Sequence, residues 1–150
     1  MPYYACSYPL AEGSVVIRGN WGRMLRLESI GSGNLQRLLR ETAFEKVRLQ
    51  NYQTRPSRLD SNFTCPTLDS IREFVKVTKR IYDLIYEVEP VDENASRFET
   101  DWSLINRPIE NLTLEQVEAL ADQYWSPANV VPMHAEMVIA SDIRILRKAL

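Results

Sequence analysis

The chain has 150 residues, 45% of them hydrophobic and 25% charged, with a formal net charge of −2. That size suits one domain, residues 1–150, with a core that needs no staples, and the slight acidity argues against a protein that coats nucleic acid by charge alone. Two cysteines without metal-type spacing and a single histidine argue against a zinc site, so no metal is expected.

In chain order, "MPYYACSYPLAEGSVV" has no basic start and no apolar run, unlike a signal peptide. No stretch approaches the ~18 consecutive apolar residues of a membrane span. A cytoplasmic protein with free thiols and no membrane contact is the expectation. "PYYAC" and "SVVIR" read as short strands, and "GNWGR" as a tight turn with special backbone geometry. Ser29 to Asn34 is a flexible joint. Asn34 then caps a helix to about Gln50, whose apolar stripe is Leu35, Leu38, Leu39, Thr42 and Val47. "SNFTC" reads as a strand. Thr67 caps a helix with Leu68, Ile71, Phe74, Val75 and Thr78 on one face. "DLIYEVEP" alternates like a strand and closes at Pro90.

Residues 91 to 111 show no clear period and read as an irregular excursion. Thr113 and Gln116 form a capping box for "LEQVEALADQYW". "EMVIA" and "IRILRKAL" finish the chain as strands. About six strands and three helices, with helices early and strands spread throughout, make an α+β fold rather than a doubly wound sheet.

Three places can carry chemistry. In "GNWGR", Gly19 and Gly22 flank Asn20 and Trp21 and let backbone approach a ligand, which Asn20 and Gly22 would help bind, and Arg23 can meet a phosphate with its forked donors. The plainer reading is a tight turn anchored by Trp21. In "RLDSNF", strand alternation puts Ser61 and Phe63 on one face and Asn62 on the other, where its loss should do little. A hydroxyl beside an aromatic ring can grip a flat polar ring, but on residue type alone the plainer reading is a core Phe63 with Ser61 capping or turning. In "MHAEMVI", Glu136 stands at the start of an apolar strand. It is either an ordinary edge residue or a held carboxylate that stabilises developing positive charge.

The stretches "GSVVIRGNWGR", "SRLDSNFTCPTLDSIREF", "IYEVEPVD" and "DQYW", with a late Glu before "MVIA", resemble a bacterial family of small proteins that is similar to ADP-ribosyltransferases. The order "YYACSYPLAEGSVV … FTCPTLDSI … IYEVEP" is similar to the rifampin ADP-ribosyltransferases, with their "LTATLDAA"-like strand and helix and their "IYVVEP" strand. The resemblance covers nearly the whole chain. It implies two split β-sheets with NAD, the donor of ADP-ribose, in the cleft between them.

It also implies roles. The first-strand position, His or Arg in the relatives, falls near Tyr4 and Ala5, so Arg18 or Arg23 would supply the cation. Arg58, Ser61 and Phe63 would line the nicotinamide pocket, and Glu136 would be the catalytic acid. The implied activity is mono-ADP-ribosyl transfer to a protein, a nucleic acid or a small molecule. The arginine-rich first sixty residues suit a nucleic-acid acceptor. A compact domain of this class fits a toxin or defence effector, with an antitoxin or inhibitor protein as partner. The alternative is a non-catalytic binding module that retains the fold, for which the missing His or Arg near Ala5 speaks.

Overall fold

A computed structural model describes residues 1–150, which fold into seven strands and five helices with two antiparallel sheets. The mixed α+β class expected from the sequence is what forms. Strands β1 (Tyr3–Cys6), β2 (Val15–Val16), β4 (Leu84–Pro90) and β7 (Ile143–Lys148) make one sheet in the order β1-β4-β7-β2. Strands β3 (Asn62–Thr64), β5 (Arg97–Asp101) and β6 (Ala135–Ile139) make the other in the order β3-β6-β5. The sheets touch where Tyr3 and Cys65 exchange backbone hydrogen bonds of 2.8 and 2.9 Å.

Helix α1 (Asn20–Leu27) replaces the tight turn expected at "GNWGR". Gly19, with φ at +80°, sets the chain into the helix, a backbone angle glycine adopts without a Cβ clash. Gly22 is inside the helix for a different reason. A Cβ there would stand 2.0 Å from the Leu59 carbonyl oxygen, so α1 lies against the short 3₁₀ turn at 58–60 only because Gly22 has none.

Helix α2 (Leu35–Asn51) forms with Asn34 at its N-cap, although the Asn34 side chain makes no capping bond, and its inward face is not the expected leucine stripe. Leu35, Leu39 and Thr42 are exposed, while Glu41, Ala43, Phe44 and Val47 are buried. A stripe drawn from apolar residues alone misses a carboxylate that has its partner inside.

The Thr67 cap of α3 (Leu68–Val77) and the Thr113–Gln116 capping box of α5 (Leu114–Trp125) both form. The excursion expected over 91 to 111 instead contains β5 and the single turn α4 (Trp102–Ile105). β5 turns Phe98 and Thr100 inward, and the Thr100 hydroxyl donates to the Tyr124 carbonyl at 2.6 Å, so a polar residue holds an inward strand position. The largest core joins α2, α5 and β5 through Phe44, Val47, Phe98, Leu120, Tyr124 and Trp125. A smaller one, under α3, packs Ala5, Cys65, Ile71, Ile85 and Trp102. No helix is long and apolar enough to cross a membrane.

Candidate functional site

A cavity of about 510 Å³ opens where β1, α1, α2, β3, α3 and the start of β6 converge. That is within the ~300–1,000 Å³ of small-molecule sites. Tyr4, Asn20, Arg58, Ser61, Phe63 and Glu136 all line it, though the sequence scatters them over 133 positions. Trp21, Arg37, Arg40, Phe74, Arg80 and Trp102 complete much of the wall. Arg18, Gly22 and Arg23 lie outside the lining. Arg18 donates to the Ala140 carbonyl at 2.8 Å, Arg23 donates to the Arg18 carbonyl at 2.9 Å, and Gly22 packs on Leu59. These three tie α1 to its surroundings.

The deepest part of the wall is a buried ionic cluster. Arg58, 5% exposed, has one carboxylate on each side. Its Nε and Nη2 reach Glu41 of α2 at 3.0 and 3.1 Å, and its Nη1 reaches Glu136 of β6 at 2.9 Å and the Tyr124 hydroxyl of α5 at 2.7 Å. The Tyr124 hydroxyl in turn donates to Glu136. Four residues from four segments therefore close one network, with every charge paired, as a low-dielectric interior requires.

The two carboxylates differ. Burial pushes the Glu41 carboxyl up, but the Arg58 charge and hydrogen bonds outweigh it and hold the group below its ordinary value. Burial pushes the Glu136 carboxyl up as well, and there Arg58 and Tyr124 do not fully offset it. Glu136 also keeps an unused oxygen. Arg58 and Tyr124 both donate to Oε1, whereas Oε2 takes no hydrogen bond from the protein and is not sealed off. The site thus contains a carboxylate with one oxygen fixed and the other available to a ligand.

Around this carboxylate the wall is aromatic and basic. The Arg58 guanidinium lies 4.4 Å from the Phe63 ring centroid, and Trp21 meets Phe63 edge-on at 6.5 Å. Arg37 lies 5.1 Å from the Trp21 ring. Burial pushes the Tyr4 phenol up to about 12, so it remains a neutral hydroxyl. The Ser61 hydroxyl donates to the Ser57 carbonyl at 2.6 Å and closes the 58–60 turn, the capping role that residue type alone suggested.

Asn62 was expected to be dispensable. It is buried, and its amide donates to the Val16 carbonyl at 3.2 Å and the Ser141 carbonyl at 2.9 Å, linking β3 to β2 and to the β6–β7 turn. His134 packs against Trp102 with ring centroids 5.0 Å apart. Burial pushes the Cys65 thiol up to about 12, which leaves it unreactive. No cluster of three or more His, Cys, Asp or Glu could hold a metal ion.

Sequence reasoning missed Glu41, Tyr124, Arg37 and Arg40. The one available signal was Glu41, a charge three residues before Phe44 and six before Val47, on what proves to be the buried side of α2. Nothing local distinguishes Tyr124 from a core aromatic, since its ring is one.

A profile of the family described as Protein of unknown function (DUF2441) matches residues 20–149, and the chain belongs to that family. No curated protein matches the chain.

Proposed function

We propose that the protein is an NAD-dependent mono-ADP-ribosyltransferase, with NAD as donor substrate and Glu136 as the catalytic carboxylate. One observation carries this reading. In a cavity that also holds the Phe63 ring, Glu136 has one oxygen fixed by Arg58 and Tyr124 and the other free for a ligand.

Transfer breaks the bond between ribose C1′ and the nicotinamide nitrogen. The bonding pair leaves with nicotinamide, which becomes neutral, and positive charge builds on the ribose ring. A carboxylate that accepts a hydrogen bond from the ribose 2′-hydroxyl stabilises that charge. The free Glu136 oxygen supplies such an acceptor, and Arg58 and Tyr124 keep it from turning away. By analogy with a single oxyanion-hole donor, one preorganised interaction of this kind is worth about 10²–10³ in rate. Phe63 and Trp21 give the flat leaving group an aromatic surround. An acceptor nucleophile then bonds to C1′ and releases its proton. Arginine-bearing acceptor sites, nucleic acids and small molecules all offer such nucleophiles.

The test is free nicotinamide released from NAD by the purified protein. Release is expected. NAD binding without release would overturn the catalytic reading and leave the non-catalytic module in its place.

A further inference from the structure

Arg40 is a cation without a partner of its own. It is on α2, one turn before the buried Phe44, and its side chain is only 16% exposed. It makes no hydrogen bond in the protein, and its Nε is sealed off without an acceptor. The nearest carboxylate oxygen is Oε1 of Glu41, 3.6 Å away. That distance is an ion pair at best, and Arg58 already holds the same oxygen at 3.1 Å. Glu41 therefore balances Arg58 and has little left for Arg40. Burying the Nε–H without an acceptor is costly, and the terminal nitrogens, which are not sealed off, keep their donors open to a ligand at the cavity wall.

Arg37, three residues earlier on the same helix face, lines the same cavity. One of its terminal nitrogens pairs with Glu28, and its Nε is likewise without an acceptor. Across the cavity, Arg80 bonds the Ala5 carbonyl at 3.4 Å and pairs with Asp83 at 2.5 Å. Four arginines thus line a cavity whose lining carries one carboxylate, Glu136. Three of them have close anions, and Arg40 has only a 3.6 Å share of the Glu41 oxygen that Arg58 already holds.

We propose that Arg40, supported by Arg37, is the seat of a phosphate-bearing ligand, and that this seat takes a pyrophosphate diester. A forked guanidinium donates two parallel hydrogen bonds to one phosphate, and two guanidinia a helical turn apart suit two linked phosphates. The seat replaces the Arg18 and Arg23 site expected from sequence, since neither of those lines the cavity. Only the choice of a diester rests on the NAD reading. The need of Arg40 for an anion does not.

Calorimetry with inorganic pyrophosphate, inorganic phosphate and ADP-ribose tests it, on the wild type and on Arg40→Gln, Arg40→Lys and the exposed control Arg72→Gln. Pyrophosphate and ADP-ribose should bind the wild type and the control equally. Arg40→Gln should weaken both by about tenfold or more, the loss of a charge-assisted hydrogen bond. Arg40→Lys should fall between, having the charge without the fork. Phosphate binding as tightly as pyrophosphate would overturn the diester and identify a monoester seat.

Melting curves separate a ligand role from a structural one. Pyrophosphate should raise the Tm of the wild type and not that of Arg40→Gln, which alone should melt no lower than the wild type. Equal pyrophosphate affinity in Arg40→Gln and wild type overturns the proposal, as does an Arg40→Gln protein that melts well below the wild type. Pyrophosphate binding at Arg40 without nicotinamide release from NAD would keep the seat and remove the transferase reading. Nicotinamide release with an unchanged KM in Arg40→Gln would do the reverse.

Discussion

Tyr124 belongs to two regions built on opposite physics. Its ring packs in the apolar cluster, 5.4 Å from Phe44 and 4.9 Å from Trp125, and its hydroxyl closes the charge cluster of Arg58, Glu41 and Glu136. The apolar side is stabilised by area removed from water, which is non-directional and tolerant of shape-conserving change. The charged side gains little net stability, because desolvation consumes most of the attraction. What it provides is placement: a carboxylate held at the cavity wall with one oxygen unused. Core aromatics beneath a polar cluster are thus a support, and the cluster is the part that faces the cavity.

The comparison breaks most visibly at its two anchors. Arg58→Met should cost about 3–5 kcal/mol by leaving Glu136 buried without a cation and Glu41 with only the distant Arg40, and Trp125→Ala about 3–5 kcal/mol by opening a cavity. pH distinguishes them. The Arg58→Met deficit should shrink in acid, as Glu41 and Glu136 take up protons, and the Trp125→Ala deficit should not. Denaturant melts at neutral and acid pH check both.

A finer contrast separates the two carboxylates. The folded-state pKa of Glu41 is held low by Arg58 against its burial, so its stabilisation is present above the ordinary carboxylate range and is lost as pH falls through the folded value. Glu41→Gln should therefore cost about 1.5–3 kcal/mol at neutral pH, a charged hydrogen bond's worth, and the gap should close in acid. Asn62→Ala should cost about 1–3 kcal/mol by leaving buried carbonyls unpaired, where the strand alternation alone predicts almost nothing. Glu136 has the opposite sign to Glu41. Burial raises its folded-state pKa, so folding is favoured below that value and loses stability as pH rises through it. Glu136→Gln should melt at or slightly above the wild type at neutral pH, with the advantage fading in acid.

Much of the fold was legible because its signals are local. The Thr67 cap, the Thr113–Gln116 box and the alternation of "DLIYEVEP" each state one element within a few residues. The errors came where a tertiary partner decides. β5 hid because Thr100 takes an inward position with a hydrogen bond instead of an apolar side chain. α1 hid because Gly22, which reads as a turn residue, is there to admit the Leu59 carbonyl. Of the candidate site, Tyr4, Asn20, Arg58, Ser61, Phe63 and Glu136 do meet at one cavity, but Glu41 and Arg40 were invisible. A buried charge looks like a surface charge until its partner, 17 positions away in the case of Glu41 and Arg58, is folded against it.

The most direct test of the account compares nicotinamide release from NAD by the wild type and by Glu136→Gln, each with its melting curve. The amide keeps the shape and, with its oxygen towards Arg58 and Tyr124, their contacts, while it removes the charge and replaces the free acceptor oxygen with an NH2 donor. The account predicts release by the wild type, a loss of about 10²–10³ in rate in the variant, and a variant at least as stable as the wild type. Wild-type turnover in Glu136→Gln, or a variant that fails to fold, would contradict it.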